Sequence, residues 1–346
     1  MKYKTQILVC LATLAGALSP SSVLAQADNK IRDRVGGLTI DFVDTDLRVK
    51  RLSAESTAPK SLFTPVLSLT PGYSTNPDLS PVASGASFLG ATLDLGYERT
   101  DAAAKSVLSA NYEVGALFFE HSADTNDEVD HSASVSYQQK LDTGLQYRLG
   151  LSDTHVEVDH TSLLNVVAGS AEFRGSLADN FVGGFSYTYQ VREALTPVAN
   201  PRNDADAVRQ IPAVFLGTDL ARYGTGLPQV TLAYSRYWNL ADGNDEDFVA
   251  KRLALRAVNS QVGLGISADV EASYEDRIGN NLSSLLGGAD RRVDHLTKVS
   301  LTLNHDVIAL KDTHAALLIG YERAVSNLAA ANYRGTTYAL TLSRSF

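Results

Sequence analysis

Apolar side chains occupy every second position along most of this chain, and this spacing restricts the folds that it can adopt. The clearest run has the apolar members Val262, Leu264, Ile266, Ala268, Val270, Ala272 and Tyr274. Because consecutive side chains of a strand point to opposite faces, a period of two predicts strands with one apolar and one polar face. The pattern recurs near 89–97, 108–118, 133–137, 145–151, 181–189, 293–306 and 314–323. The sequence therefore predicts an all-β chain.

The first 27 residues have the features of a secretory signal peptide. Lys2 and Lys4 form a basic start, residues 7–18 are almost entirely apolar or small, and Ala25-Gln26-Ala27 is an A-x-A cleavage site. An apolar run of this length is too short to span a bilayer, which needs about 20 residues in a helix. Cys10, the only cysteine, lies within it. We therefore expect an exported chain that retains no helical anchor and has no disulfide bonds.

Tyrosine distinguishes a membrane barrel from a soluble β-sandwich, which would show the same alternation. Tyrosine is more frequent than phenylalanine, 15 residues against 11. It repeatedly ends an apolar face, at Tyr97, Tyr137, Tyr189, Tyr274 and Tyr321. Such rings are typical of lipid–water boundaries, whereas a hydroxyl in a sandwich core must find a buried partner. This favours an antiparallel transmembrane β-barrel in a bacterial outer membrane.

The charge of the chain argues against binding nucleic acid. There are 39 acidic and 30 basic residues, which gives a net charge of −9. Proteins that bind nucleic acid need basic surfaces that replace the counterions of the phosphates. Such surfaces are not expected here.

The loop lengths predict the number of strands. A single-chain barrel of this class has an even number of strands and short periplasmic turns, so outer and inner connections must alternate. When outer and inner connections are assigned from each end of the chain, the segment 193–228 would have to be both outer and inner. An additional strand at 209–220, with Ile211, Ala213 and Phe215 outward, removes this conflict. The count then becomes about 14, and 12 or 16 strands stay open. An inner turn is expected at 259–261, and an outer loop at 153–163.

These observations divide the chain into three parts. Residues 1–27 are the signal peptide, and 61–346 form the transmembrane barrel. Residues 28–60 are charged and are expected to form either a short N-terminal periplasmic arm or a plug in the barrel mouth.

A short motif carries a resemblance to known barrels. Gly72-Tyr73-Ser74-Thr75-Asn76-Pro77 resembles the first-strand pattern G-Y-[DS]-[ST]-N-P of some Gram-negative porin-like barrels and of surface-lipoprotein assembly modifiers. The latter also carry a periplasmic helical-repeat domain, for which 28–60 is too short.

The end of the chain is similar to the assembly signal of outer-membrane proteins. This similarity implies recognition by the barrel-assembly machinery through Tyr338, Leu340, Leu342 and Phe346. Arg344 replaces the usual apolar residue, and its long side chain can reach the aqueous rim.

Charged residues of both signs fall on the predicted inward faces. The candidates for lining a pore are Asp94, Glu98, Glu113, Arg148, Glu172, Arg174, Arg192, Arg252, Arg256, Asp269, Glu271, Glu275, Lys298 and Glu322. They either pair across strands to hold the barrel wall or line a water-filled path and set solute preference. A hairpin turn at 259–261 would place Arg252 diagonal to Asp269.

Two acidic segments are candidates for ion sites. Residues 153–160 would place His155, Glu157 and Asp159 on one strand face, and 242–247 is rich in aspartate. The first arrangement is plausible for a divalent ion, whereas 242–247 lacks the ligand spacing of a calcium loop. Both segments are interpreted as charged surface, and no metal or other cofactor is expected. Since no catalytic motif is present either, the sequence predicts that the chain is not an enzyme.

The function predicted from the sequence is that of a passive channel, a porin for a small hydrophilic solute or an exported polymer. One alternative is a non-conducting structural or surface-interaction barrel, and another is the outer-membrane component of an export system. The expected partners are outer-membrane lipid and lipopolysaccharide, the assembly machinery, and an unidentified periplasmic or surface protein.

Overall fold

The computed structural model describes residues 60–76, 85–120, 127–158, 161–178, 181–195, 206–220, 223, 226–307 and 312–346. The predicted signal peptide and all of the 28–60 segment except Lys60 lie outside the described residues. Among those described, no helix is long and apolar enough to cross a membrane.

The described chain is almost entirely strand. The strands are β1 (Lys60–Ser74), β2 (Ala86–Asp101), β3 (Ser106–Phe119), β4 (Glu128–Lys140), β5 (Gln146–Val158), β6 (Thr161–Ala178), β7 (Phe181–Ala194), β8 (Ala207–Asp219), β9 (Gln229–Ala241), β10 (Phe248–Gly263), β11 (Ile266–Leu282), β12 (Arg291–Asp306), β13 (Thr313–Ser326) and β14 (Tyr333–Ser345). Two single-turn 3-10 helices, Ser284–Leu286 and Ala329–Ala331, lie in the connections before β12 and β14.

Each strand pairs antiparallel with the next, and β1 pairs with β14, so the sheet closes into a barrel of 14 strands. The predicted fold and strand count are confirmed, including the strand that parity placed at 209–220. An even count puts both ends of the barrel on one side, which we assign to the periplasm because bacterial barrels have short periplasmic turns.

The exterior of the barrel is an apolar band with tyrosines at its edges. Leu149, Leu232, Leu253 and Val299 are among many large apolar side chains that are about half exposed. In water such a surface would cost free energy in proportion to its area, but lipid tails cover it without cost. The band therefore identifies a transmembrane barrel.

The prediction of which residues of β8 point outward is wrong. Ile211, Ala213 and Phe215 are buried on the inward face, whereas Val214 and Leu216 are exposed on the outside. Both faces of this strand are apolar, so the alternation could not decide which face meets lipid.

The predicted turn between β10 and β11 is also wrong. The strands continue to Gly263 and Ile266, and the turn is formed by Leu264 and Gly265, both with positive φ. At 259–261 there is instead an irregularity in which Asn259 has φ 60°. A bulge of this kind inserts an extra residue without ending the strand, and it shifts the register of all residues beyond it.

The predicted outer loop at 153–163 is much shorter in the structure. Strand β5 continues to Val158 and β6 begins at Thr161. The acidic segment 153–158 is therefore mostly strand, because alternation of Val156 and Val158 with polar residues continues the pattern of β5.

A short inner turn at 141–145 joins β4 to β5. The Leu141 amide donates to the Leu145 carbonyl at 2.8 Å, and Gly144 adopts φ 84°, which favours glycine. The Lys105 ammonium of the neighbouring turn donates to the Asp142 carboxylate at 2.5 Å, and this contact lowers the pKa of Asp142.

The Gly72–Asn76 part of the first-strand motif closes the barrel at its extracellular end. The amide of Thr75 donates to the Thr336 carbonyl at 2.9 Å, and the Asn76 side-chain amide donates to the Arg334 carbonyl at 2.9 Å. Ser74 and Asn76 are 0% and 1% exposed. Gly72 leaves room for the Phe88 ring, whose Cζ would lie 2.1 Å from an added Cβ. The motif therefore attaches β1 to β14, which pair in one continuous register from Val66 to Ser74.

We expect Asn76→Ala to weaken this closure. The substitution removes a hydrogen bond and leaves the Arg334 carbonyl without it, which should cost about 1–2 kcal/mol in the free energy of unfolding. Urea titration of the detergent-solubilised barrel measures this change. Asn281→Ala, which removes longer hydrogen bonds near β10 and β11, is the control and should cost less. Equal stability of Asn76→Ala and the natural chain would contradict the assignment.

Candidate functional site

The lumen is the candidate functional site. With strands about 4.8 Å apart and tilted by about 40°, a barrel of 14 strands has a backbone radius of roughly 14 Å. Inward side chains narrow this space but need not fill it.

All of the predicted pore-lining residues lie on the inward face, opposite the apolar band. They are Asp94 and Glu98 on β2, Glu113 on β3, Arg148 on β5, Glu172 and Arg174 on β6, Arg192 on β7, Arg252 and Arg256 on β10, Asp269, Glu271 and Glu275 on β11, Lys298 on β12 and Glu322 on β13. The structure thus brings them to one surface, on which they divide by sign.

Strands β2 to β4 form an acidic arc of the inner wall. Asp94 and Glu113 are direct cross-strand partners, and Asp130 of β4 lies close enough for its charge to act on Glu113. Asn111 donates to Asp94 at 3.3 Å. Asp130 was missed in the sequence because the alternation was recognised only from 133 onward, whereas β4 begins at Glu128.

Strands β5 to β10 form a basic arc. Its inward cations are Arg148, Arg174, Arg192, Arg209, Arg252 and Arg256. Some of this charge is compensated locally, since Arg174 lies 3.8 Å from Glu172 and Arg148 is directly opposite Glu172. The arc remains basic overall, because Glu172 and Asp219 are its only inward carboxylates among the described residues.

Strands β11 to β13 carry paired charges. Lys298 lies 3.3 Å from Glu322, and Arg252 of β10 lies 3.9 Å from Glu271. Asp269 accepts hydrogen bonds from the Asn259 amide at 2.7 Å and from Asn304 at 3.0 Å. The predicted Arg252–Asp269 diagonal is therefore wrong, because the hairpin turn lies at Leu264 and Gly265 rather than at 259–261, and this register places Arg252 opposite Glu275.

A buried polar cluster projects into the lumen from β8 to β11 near the extracellular end. Arg209 donates to Asn239, and its guanidinium lies 5.8 Å from the centre of the Phe248 ring. Arg277 approaches the same ring at 5.3 Å and pairs with Glu275, which also accepts the Tyr237 hydroxyl. The ring between two guanidinium groups fixes them by cation–π contacts. Apart from Glu275, these residues were missed, because only the register of four strands brings them together.

An apolar cluster also occupies the inward face at the extracellular end, contrary to the expectation of polar inner walls. Phe88 of β2 and Phe119 of β3 lie with ring centres 6.0 Å apart. Val156, Leu164 and Val166 are at most 1% exposed. This part of the lumen is packed, so the barrel is not an evenly wide, water-filled tube.

Between these features the wall carries many small hydroxyl groups. Ser132 and Thr154 are within 3.3 Å, and Ser134 and Ser152 are direct partners on β4 and β5. A wall of hydroxyl groups can donate to and accept from a polar solute or water.

The charged side chains of the described residues 153–157 do not face the lumen. His155 and Glu157 point outward, with His155 Nε2 3.6 Å from Glu157 Oε1, and Asp159 lies outside the described residues. In the part of the chain that the structure describes, no group of three or more potential ligands is placed to hold a metal ion.

Comparisons with known proteins identify solved structures with a similar fold. No family model and no curated protein matches the sequence. Among solved structures, the outer membrane channel DcaP of Acinetobacter baumannii is similar at 9% identity and a TM-score of 0.50, covering 84% of this chain and 98% of that one. An anion-selective porin from Comamonas acidovorans is similar at 10% identity and a TM-score of 0.48, covering 84% of this chain and 100% of that one. Pseudomonas aeruginosa OprD is similar at 11% identity and a TM-score of 0.40, covering 82% of this chain and 95% of that one. At these identities the likeness to DcaP shows the porin-like barrel fold.

We expect Glu275→Ala to destabilise the barrel strongly. Removing this carboxylate leaves Arg277 in a buried site without its counter-charge, which should cost about 3–5 kcal/mol in the free energy of unfolding. Glu271→Ala is the matched control, because Glu271 is more exposed and its contact with Arg252 is longer, and it should cost about 1 kcal/mol or less. Urea unfolding of both variants in detergent tests this, and equal losses would contradict the assigned role of the cluster.

Proposed function

We propose that this chain is a passive channel of the bacterial outer membrane for small hydrophilic solutes. The observation that carries the proposal is the contrast between the two faces of the barrel. The exterior is an apolar band, whereas much of the interior carries charges and hydroxyl groups that can replace the hydration of a polar solute. The similar fold of DcaP, described as an outer membrane channel, supports this proposal.

The inward charges are separated by sign across the width of the lumen. The acidic arc around Glu113 faces the basic arc around Arg256, because β3 and β10 are half a circumference apart in the strand order. Low-dielectric walls of opposite sign produce a field across the lumen. Such a field favours solutes that carry separated positive and negative groups, since they can align with it.

A non-conducting barrel is the second candidate. The packed apolar cluster around Val156 and Leu164 favours it, because this cluster narrows the extracellular half of the lumen. In this case the barrel would act through its surface, either as a structural or interaction protein or within an export system. If the cargo of the open channel is an exported polymer, the apolar cluster must leave a passage wide enough for that polymer.

Single-channel recording in planar bilayers tests the main proposal. We expect the chain without its signal peptide to give discrete, ohmic conductance steps. If residues 28–60 form a plug, steps should appear or enlarge only when that segment is deleted. Absence of steps from both the intact barrel and the deletion variant would contradict a channel and support the second candidate.

Ion selectivity should follow the two arcs. Neutralising the acidic arc with Asp94→Asn and Glu113→Gln should shift the cation-to-anion permeability ratio toward anions by about twofold or more, because the local cation concentration falls. Arg148→Gln with Arg256→Gln should shift it toward cations. Reversal potentials in a salt gradient measure both changes. Glu193→Gln, on the outward face of β7, is the control and should leave the ratio unchanged. Shifts of the same sign in both lumen variants would contradict the arrangement.

A further inference from the structure

Two pairs of like charges stand directly opposite each other on the exterior of the barrel. Arg236 of β9 is the cross-strand partner of Lys251 of β10, and Arg323 of β13 is the partner of Arg334 of β14. All four side chains are exposed. We call these four residues the cationic exterior patch.

The patch lies just beyond the extracellular edge of the apolar band. Arg236 follows Tyr234 by two residues, and Arg323 follows Tyr321 by two, so each arginine is the next outward position after an exposed tyrosine. Tyrosine marks the boundary between hydrocarbon and headgroups. The four cations are therefore at the depth of the headgroups of the outer leaflet.

Like charges directly opposite on neighbouring strands are destabilising unless another charge compensates them. Among the described residues, no carboxylate lies within salt-bridge distance of Arg236, Arg323 or Arg334. The Arg236 guanidinium instead lies 5.0 Å from the centre of the Trp238 ring, which holds it at the surface.

The nearest acidic group in this row does not resolve the repulsion. Asp276 is the cross-strand partner of Lys251, but its carboxylate is also bound to His295 Nδ1 at 2.5 Å and accepts the Tyr274 hydroxyl at 2.8 Å. One carboxylate shared in this way cannot compensate four cations on β9, β10, β13 and β14.

The patch is confined to one side of the barrel. On the other side, at a similar position along the strands, the outward residues are Asp153 and Glu157 of β5 and Glu193 of β7. A general need for positive charge at this rim would place cations there as well. The local concentration of cations indicates a specific anionic ligand.

We propose that the cationic exterior patch is a docking site for a phosphorylated glycolipid of the outer leaflet. Each pair of cations takes a phosphate, with charge-assisted hydrogen bonds from arginine. The acyl chains lie below on the apolar face that includes Leu253, Tyr274 and Val299. The two pairs are three strand spacings apart, about 14 Å, so one headgroup with two phosphates or two neighbouring lipids could engage both. The inference does not depend on whether the lumen conducts.

Binding of bisphosphorylated lipid A to the purified barrel in detergent tests the proposal. We expect saturable binding, and we expect Arg236→Gln with Lys251→Gln, and separately Arg323→Gln with Arg334→Gln, to weaken it by about tenfold or more. The matched control is Arg99→Gln with Arg344→Gln, which removes two exposed, outward arginines at the periplasmic end and should leave the affinity within about twofold.

A second measurement separates binding from folding. Without lipid A, both patch variants should be at least as stable to urea as the natural chain, because neutralisation relieves the repulsion. Adding lipid A should stabilise the natural chain and not the patch variants. Equal binding of dephosphorylated lipid A, unchanged affinity in both patch variants, or the same protection by inorganic phosphate alone would each overturn the proposal.

Discussion

The closure of the sheet on itself is the constraint on which the rest of the structure depends. In a lipid environment no water is present to satisfy backbone N–H and C=O groups, so every strand needs a hydrogen-bonded neighbour on both sides. β1 and β14 meet this requirement by pairing with each other. Closure then fixes which face of each strand meets lipid, and it separates the apolar exterior from the charged lumen.

Much of the fold could be predicted from the sequence because lipid enforces a strict alternation. Tyr338, Leu340 and Leu342 are exposed on the exterior of β14, as their spacing predicted. Their recognition by the assembly machinery stays a prediction. The alternation failed at β8, where Ile211 and Phe215 pack inside the lumen and both faces are apolar. It also failed to locate the turn between β10 and β11, because the alternation of Val262, Leu264 and Ile266 continues across the turn at 264–265.

The candidate site was predictable residue by residue but not in its arrangement. Charged positions on polar faces, such as Glu113 and Arg256, had to point into the lumen. Their division into acidic and basic arcs depends on which strands are neighbours. The cluster of Arg209, Tyr237 and Glu275 depends in addition on the register of four strands, since their positions in sequence are far apart. Alternation contains no information on such distant pairing.

The junction of β1 and β14 determines how the barrel can form. Thr70 and Thr341 are hydrogen-bonded across it although 271 positions separate them in the chain, so joining them confines more chain than any pairing of consecutive strands. Pro65 and Pro71 lack the N–H that a strand residue would offer to its neighbours. The junction should therefore be the last pairing to form during insertion. For the same reasons it should be the first pairing to separate when the barrel is destabilised. A nascent barrel would therefore stay open at this junction until every other strand is in place.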